Sequence, residues 1–260
     1  MKLGFIAGGN MASAIMGGII KKGLLAPSDI LVADLVDKVS EKFGVHYTKE
    51  NTEVSKTADV LFLSVKPQIY PAAISRIKDS LKEGQLIITI APGKTLAWLK
   101  EQFGQDLPIV RTMPNTPAMV GAGMTAACPN EFVTEEQKAT ALELLGAFSR
   151  VELVPEHLMD VVTSVSGSSP AYVFLFIEAM ADAAVADGMP RAQAYTFAAQ
   201  AVMGSAKMVL ETGKHPGELK DMVCSPAGTT IEAVRVLERS GFRSAVFEAM
   251  KACTAVSKSL

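Results

Sequence analysis

The sequence predicts an α/β fold, a doubly wound parallel sheet followed by an all-helical domain. Two observations predict it. In the first half, short β-rich runs alternate with amphipathic helices, a pattern that right-handed crossovers turn into a parallel sheet covered on both faces. From about Glu156 the strand patterns disappear, and Ala, Met and Leu recur at helical spacing. The expected domains are residues 1–157 and residues 158–260.

Each element has its own signal. Residues 2–7 read as a strand and residues 10–22 as a helix closed near Gly23. Residues 30–34 form the next strand, and a helix lies around 38–43. The unbroken apolar run 60–65 has the character of a strand buried on both faces. Pro67 ends it, and a helix follows to about Lys82. Residues 86–90 make a strand stopped by Pro92 and Gly93. A helix around 96–103 leads to a strand at 109–113. Residues 125–128, a helix after Thr134, and residues 151–154 extend the layer. The second half reads as helices over 170–186, 191–210, 230–238 and 244–257, broken at Gly188-Met189-Pro190 and between Gly213 and Pro216. Apolar residues fall on more than one helical face, as in Ala198-Ala199-Gln200-Ala201-Val202-Met203. Exposed apolar surface of that kind marks an interface, so the expected partner is a second copy. The expectation is a homodimer through the helical domain, open to assembly into a larger ring.

Composition narrows the function. The 260 residues carry 25 Lys and Arg against 27 Asp and Glu, a net charge of −2. That gives no footprint for nucleic acid or an acidic membrane. With 49% hydrophobic and 20% charged residues the chain can bury a core. Cys128, Cys224 and Cys253 are far apart and odd in number, which argues against a disulfide framework or a zinc site and for a reducing, cytoplasmic location. No uninterrupted apolar run reaches the ~18 residues a membrane span needs; the most tempting, 171–177, stops at Glu178. The N-terminus imitates a secretion signal, but Gly8-Gly9-Asn10 interrupts its apolar core. Neither a membrane, nor a metal, nor nucleic acid is expected as a partner.

The first chemical motif is a strand, a tight glycine turn and a helix over residues 2–14. A dinucleotide-binding, Rossmann-like fold places its pyrophosphate at such a turn. The candidate cofactor residues there are Ala7, Gly8, Gly9, Asn10, Met11 and Ala12. Glycines let the backbone approach the phosphates, and the N–H groups of the helix start attract their charge. Ala7 stands where the G-x-G-x-x-G/A pattern has its first glycine. Asp34 ends the second strand, where an acid accepts hydrogen bonds from the adenosine ribose and repels a 2′-phosphate. That favours NADH over NADPH, an effect that Lys38 can partly offset, so preference stays open and the expected cofactor is NADPH or NADH. Two further loops, Ser64-Val65-Lys66-Pro67 and Ile90-Ala91-Pro92-Gly93, follow strands and so belong to the ligand-binding edge of an open sheet. In the helical half, 166–172 and 225–230 combine small residues and hydroxyls at a helix start. Such a start suits a carboxylate, or is simply a Ser/Thr cap.

Taken together the segments resemble the pyrroline-5-carboxylate reductase family over essentially the whole chain. Gly4-Phe5-Ile6-Ala7-Gly8-Gly9-Asn10-Met11-Ala12 looks like that family's cofactor loop. Val65-Lys66-Pro67-Gln68 and Arg111-Thr112-Met113-Pro114-Asn115-Thr116-Pro117 match its central motifs. The segments 166–172 and 215–221 match its helical domain, and the block 223–233 is similar to its signature. The resemblance implies reduction of 1-pyrroline-5-carboxylate to L-proline. It implies cofactor contacts at residues 7–12, Asn51, Ser64, Val65, Lys66, Pro67, Ile90, Ala91 and Pro92, and a substrate held by Gly228, Thr229 and Thr230. Ala7, Met222 and Gly213 depart from the family's usual residues.

On that reading, backbone N–H groups and hydroxyls from Ser225 to Thr230 bind the substrate carboxylate, and Thr230 hydrogen-bonds the ring nitrogen as the candidate catalytic residue. Reducing a ketone calls for a strong proton donor such as His or Lys, whereas an imine can be protonated beforehand. His46, His157 and His215 are scattered, as imine chemistry allows. A β-hydroxyacid dehydrogenase shares the layout but carries a lysine on its first long helix, where this chain has Ala171 and Tyr172. A non-catalytic dinucleotide sensor would have no use for the 225–230 block.

Overall fold

A computed structural model describes residues 1–259. The strands are β1 (Leu3–Ile6), β2 (Ile30–Ala33), β3 (His46–Thr48), β4 (Val60–Leu63), β5 (Leu86–Thr89), β6 (Ile109–Pro114), β7 (Gly123–Pro129) and β8 (Ser149–Leu153). They form one eight-stranded sheet in the order β3-β2-β1-β4-β5-β6-β7-β8. Neighbours from β3 across to β6 are parallel, β7 runs antiparallel to β6, and β8 is parallel to β7. The reversal at β7 departs from the all-parallel expectation for a simple reason. A parallel return needs a crossover of about a dozen residues or more. The β6–β7 connection, with its short helical turn Thr116–Val120, is too brief to supply one.

Helices α1 (Asn10–Lys21), α2 (Ser40–Phe43), α3 (Asn51–Thr57), α4 (Tyr70–Ile77), α5 (Leu96–Phe103) and α6 (Glu135–Leu145) flank the sheet. Successive strand residues point to opposite faces, so each central strand feeds two cores. Phe5, Phe62 and Ile88 pack with Ile15, Met16 and Ile19 of α1 on one side, where the rings of Phe5 and Phe62 stack at 4.9 Å. Ile6, Leu61, Leu63 and Ile87 pack with Val54, Tyr70, Ile74 and Leu99 on the other. Burial on both faces is why these strands read as unbroken apolar runs. β3 and α3 carry no such signal. His46-Tyr47-Thr48 is a short polar edge, and α3 buries only Val54 and Ser55. Sequence patterning passes over both.

The remaining helices are α7 (Met159–Val162), α8 (Ser169–Ala186), α9 (Arg191–Thr212), α10 (Pro216–Val223), α11 (Thr229–Arg239) and α12 (Phe242–Ser257). Compactness divides the chain into Met1–Ser168 together with the residues from Cys253 onward, and Ser169–Ala252. The sequence pattern places its boundary earlier, at 157/158. Residues beyond that point are tied to the first unit: Met159 packs with Ala126 and Cys128. The hydroxyls of Thr254 and Ser257 reach Ser164 and Asp160 at 2.9 and 2.7 Å.

Taken by itself, the second unit is helical and rich in exposed apolar side chains. Phe174 is 64% exposed, Leu175 67% and Phe197 66%. By length and composition the helical stretch Glu156–Ala186 could cross a membrane, and only 6% of its most apolar window is buried. An unbroken apolar run is a stricter requirement, which is why sequence reading set this stretch aside at Glu178.

Candidate active site

Parallel pairing brings the sequence-predicted nucleotide residues to one edge of the first unit. The register sets Ile6 beside both Ala33 and Leu63, Ala33 beside Thr48, and Leu63 beside Thr89. The strands therefore end level. The segments that follow them are Ala7–Ala12, Asp34, Asn51 as first residue of α3, Ser64–Pro67 and Ile90–Pro92. Ligands of open α/β sheets bind outside this carboxyl edge.

The turn after β1 is shaped for phosphates. Ala7 has φ of 80°, in the left-handed region, and its N–H donates to the Ala33 carbonyl at 2.7 Å. A Cβ on Gly8 would stand 3.0 Å from Cγ1 of Val39 and 3.2 Å from Cγ1 of Val32, whereas one on Gly9 would meet open space. Gly9 caps α1 without any side-chain hydrogen bond. The N–H groups of the first turn are thus left for a ligand. An open cradle with unclaimed donors fits the diphosphate of a dinucleotide. The alanine carries a cost: the left-handed region is roughly 1–2 kcal/mol unfavourable for a residue with a Cβ. Ala7→Gly removes that strain and adds the entropy cost of a more flexible unfolded chain. The expected net gain is about 0.5–1 kcal/mol, read as a raised midpoint in denaturant unfolding.

The loops after β4 and β5 are held together by a residue that sequence reading missed. The Tyr70 phenol donates to the Leu63 carbonyl at 2.7 Å and accepts from the Ile90 N–H at 3.3 Å. It is fully buried, and burial pushes its pKa up, so the hydroxyl stays protonated. The available signal was a tyrosine on the apolar face of α4, since a buried phenol needs a partner. Close by, Ser64 Oγ is buried without a partner, a polar atom left for a ligand to meet. Lys66 is exposed and opens the short turn Pro67–Ile69.

The end of β6 adds two polar anchors. Asn115 donates to the Ser166 carbonyl at 3.1 Å and accepts from the Met124 N–H at 2.8 Å. This pins a π-helical turn, Thr163–Gly167, to the end of β6 within the first unit. Arg111 is buried and meets Glu156 at 2.8 Å, and the same carboxylate oxygen accepts the Leu96 N–H at 2.7 Å. Leu96 begins α5, immediately downstream of the Ile90–Pro92 loop.

The predicted substrate residues lie in the second unit as one segment. Gly228, not a serine or threonine, caps α11, and no side chain satisfies the helix start. Gly228 N–H donates to the Ser225 carbonyl at 3.0 Å, and Ala227 sits at φ 57°. Ser225 and Thr229 are exposed and Thr230 is half-buried. The amides of a capless helix start and two threonine hydroxyls suit a small carboxylate. His215 caps α10 through Nδ1, which accepts the Gly217 N–H at 3.0 Å. His46 opens β3 at the far edge of the sheet from the nucleotide loops. Among the described residues, no group of three or more His, Cys, Asp or Glu is arranged to hold a metal.

Comparison with known proteins agrees with both halves. The family model "Pyrroline-5-carboxylate reductase dimerisation" matches residues 156–260, and "NADP oxidoreductase coenzyme F420-dependent" matches residues 2–93. The chain is 55% identical to the pyrroline-5-carboxylate reductase of Escherichia coli, over 100% of this chain and 98% of that one. It is 43% identical to the Methanosarcina acetivorans protein of the same name, over 100% and 97%. Among solved structures, the Plasmodium falciparum pyrroline carboxylate reductase with NADP bound superposes with a TM-score of 0.93 at 32% identity, covering 100% of this chain and 97% of that one.

Proposed function

The chain belongs to the pyrroline-5-carboxylate reductase family, and we propose on that footing that it reduces 1-pyrroline-5-carboxylate to L-proline, the last step of proline biosynthesis, with NADPH or NADH. Full-length similarity to reductases of that name, spanning both units, carries the reading. The direct test is an assay with 1-pyrroline-5-carboxylate and each reduced dinucleotide, following absorbance loss at the nicotinamide band. Consumption with at least one is expected; consumption with neither overturns the assignment.

A dinucleotide bound here would supply a hydride to the carbon of the C=N bond. The protein's share is orientation. Residues 7–12, Asp34, Asn51, 64–67 and 90–92 hold the dinucleotide, with the loops after β4 and β5 fixed by Tyr70. Amides and hydroxyls from Ser225 to Thr230 hold the substrate carboxylate. The helix end contributes ~0.3–1 kcal/mol where exposed. The Thr230 hydroxyl hydrogen-bonds the ring nitrogen. The imine takes its proton before hydride arrives, so the amine product needs no strong acid from the protein. That suits the segments named here, none of which contains a histidine. Thr230→Val is expected to lower kcat about tenfold, the weight of one hydrogen bond of ~1–1.5 kcal/mol, while nucleotide affinity stays constant in a fluorescence titration. Unchanged turnover removes Thr230 from the mechanism.

The family's dimerisation model covers residues 156–260, and the exposed apolar helices lie in that range. A second copy covering them through this region, with further assembly into a ring, is the partner proposed here. The stretch Glu156–Ala186 then buries its apolar face against protein instead of lipid. A cytoplasmic location fits three free cysteines.

A further inference from the structure

At the carboxyl end of β2 two carboxylates are built into one corner. Asp34 is half-buried; its Oδ2 accepts the Gly8 N–H at 2.7 Å and its Oδ1 the Leu35 N–H at 2.6 Å. Further along, Asp37 accepts the N–H groups of Val39 and Ser40 at 3.1 and 3.0 Å and the Ser40 hydroxyl as well. The corner adjoins the phosphate turn, because Val39 is the side chain that a Cβ on Gly8 would strike. The Tyr47 phenol donates to the Asp34 carbonyl at 3.1 Å. Burial, then the charges of Asp37 and Asp34, push its pKa up. Lys38 and Lys42 are the cations of this segment. Lys42 lies over the Phe43 ring at 5.0 Å, and among the described residues neither lysine forms an ion pair with Asp34 or Asp37. The segment 34–40 contains no arginine.

We infer that the chain is built to select NADH over NADPH, with Asp34 as the specificity-determining residue and Asp37 removing the alternative. The inference rests on the nucleotide-site reading above. A ribose 2′-hydroxyl can donate to a carboxylate at this position. A 2′-phosphate is only an acceptor and carries about two negative charges. It would meet the Asp34 charge in a half-buried site, where screening is weak. Two backbone donors at the start of α2 that could otherwise answer a phosphate, the N–H groups of Val39 and Ser40, are already taken by Asp37. The segment 34–40 supplies no guanidinium fork to bind one. One oxygen of Asp34 is tied to Gly8, so the carboxylate is held against the phosphate turn and resists swinging away.

The test is equilibrium binding to the full chain. NADH and NADPH are titrated by nicotinamide fluorescence. Their non-reactive fragments, ADP-ribose and 2′-phospho-ADP-ribose, are titrated by calorimetry. NADH is expected to bind at least about 30-fold tighter than NADPH, with the fragments showing the same order. Asp34→Asn keeps the acceptor for the Gly8 N–H and removes the charge. It is expected to bring the two dinucleotides within about threefold, mainly by strengthening NADPH. Asp34→Ser makes the same comparison with a smaller side chain, should asparagine distort the turn. Equal or tighter binding of NADPH by the unmodified chain overturns the inference, and so does an unchanged ratio in both variants. Binding of neither dinucleotide nor fragment overturns the nucleotide site itself, a separate and recognisable failure.

Discussion

Truncating Glu156 to alanine is expected to lower the melting temperature by about 5–10 °C. Arg111 is buried in the sheet, with a side chain only 6% exposed, and Glu156 is its charged partner. Removing one member of a buried pair leaves a charge that water cannot reach, at a cost of ~3–5 kcal/mol. The Glu156 side chain is 33% exposed. Solvent entering the gap relieves part of that, so about 2–3 kcal/mol is expected. A domain of this size loses roughly 2–4 °C per kcal/mol. The Leu96 N–H is also left without its acceptor, which loosens the start of α5 and the Ile90–Pro92 loop before it. Scanning calorimetry at fixed protein concentration reads the effect, since assembly shifts the transition by mass action. Replacing both partners with leucine removes the stranded charge, so the double variant is expected to recover most of the loss. A single-variant change below 1 °C would show that the pair contributes nothing.

How much of this was legible in the sequence depends on how each element earns its stability. The doubly buried strands were, because Val60-Leu61-Phe62-Leu63 can be nothing else once both faces are covered. The glycine turn was, because a tight strand-to-helix turn with an open helix start needs residues that few other turns need. Ala7 shows the limit. Its letter suggests an ordinary conformation, yet the fold holds it at φ 80° through the surrounding sheet ends. The polar edge His46–Thr48 and the polar helix α3 were invisible because their order comes from tertiary packing. Tyr70, and the contacts that Asn115 and Arg111 make, were missed for another reason. Each works by joining elements distant in sequence, such as Arg111 to Glu156 and Asn115 to Ser166. Spacing cannot reveal a contact that the topology creates. Asp34 was legible as the acid that ends the second strand, but the contacts of Asp37 were not. Its role follows from the N–H groups it occupies, which only the folded chain brings to it.

Gly228→Ala is expected to lower kcat/KM for the imine by about 10²–10³ while leaving nucleotide affinity within twofold. The backbone there has φ of −80°, which any residue adopts, so strain is not the cause. Space is. A Cβ at 228 would stand 2.3 Å from Ser225 Oγ and 3.1 Å from the Ser225 carbonyl oxygen. The hydroxyl can rotate away, but it then leaves the mouth of α11. The carbonyl cannot, because it accepts the Gly228 N–H at 3.0 Å. The turn must open, and the first-turn amides of α11 lose their aim. If they hold the substrate carboxylate as proposed, each charge-assisted bond is worth ~1.5–3 kcal/mol. Losing about two of them accounts for the expected fall. The carboxylate is not the reacting group and is held alike before and during hydride transfer. The loss therefore appears mainly in KM. α11 buries none of its residues within the chain, so the melting temperature is expected to move little. Adding Ser225→Ala removes the clash with the hydroxyl but leaves the one with the carbonyl, so it is expected to restore none of the activity lost in Gly228→Ala. A kcat/KM within threefold of the unmodified enzyme would detach this turn from substrate binding. A matching loss of nucleotide affinity would show that the variant damages the whole chain instead of one site.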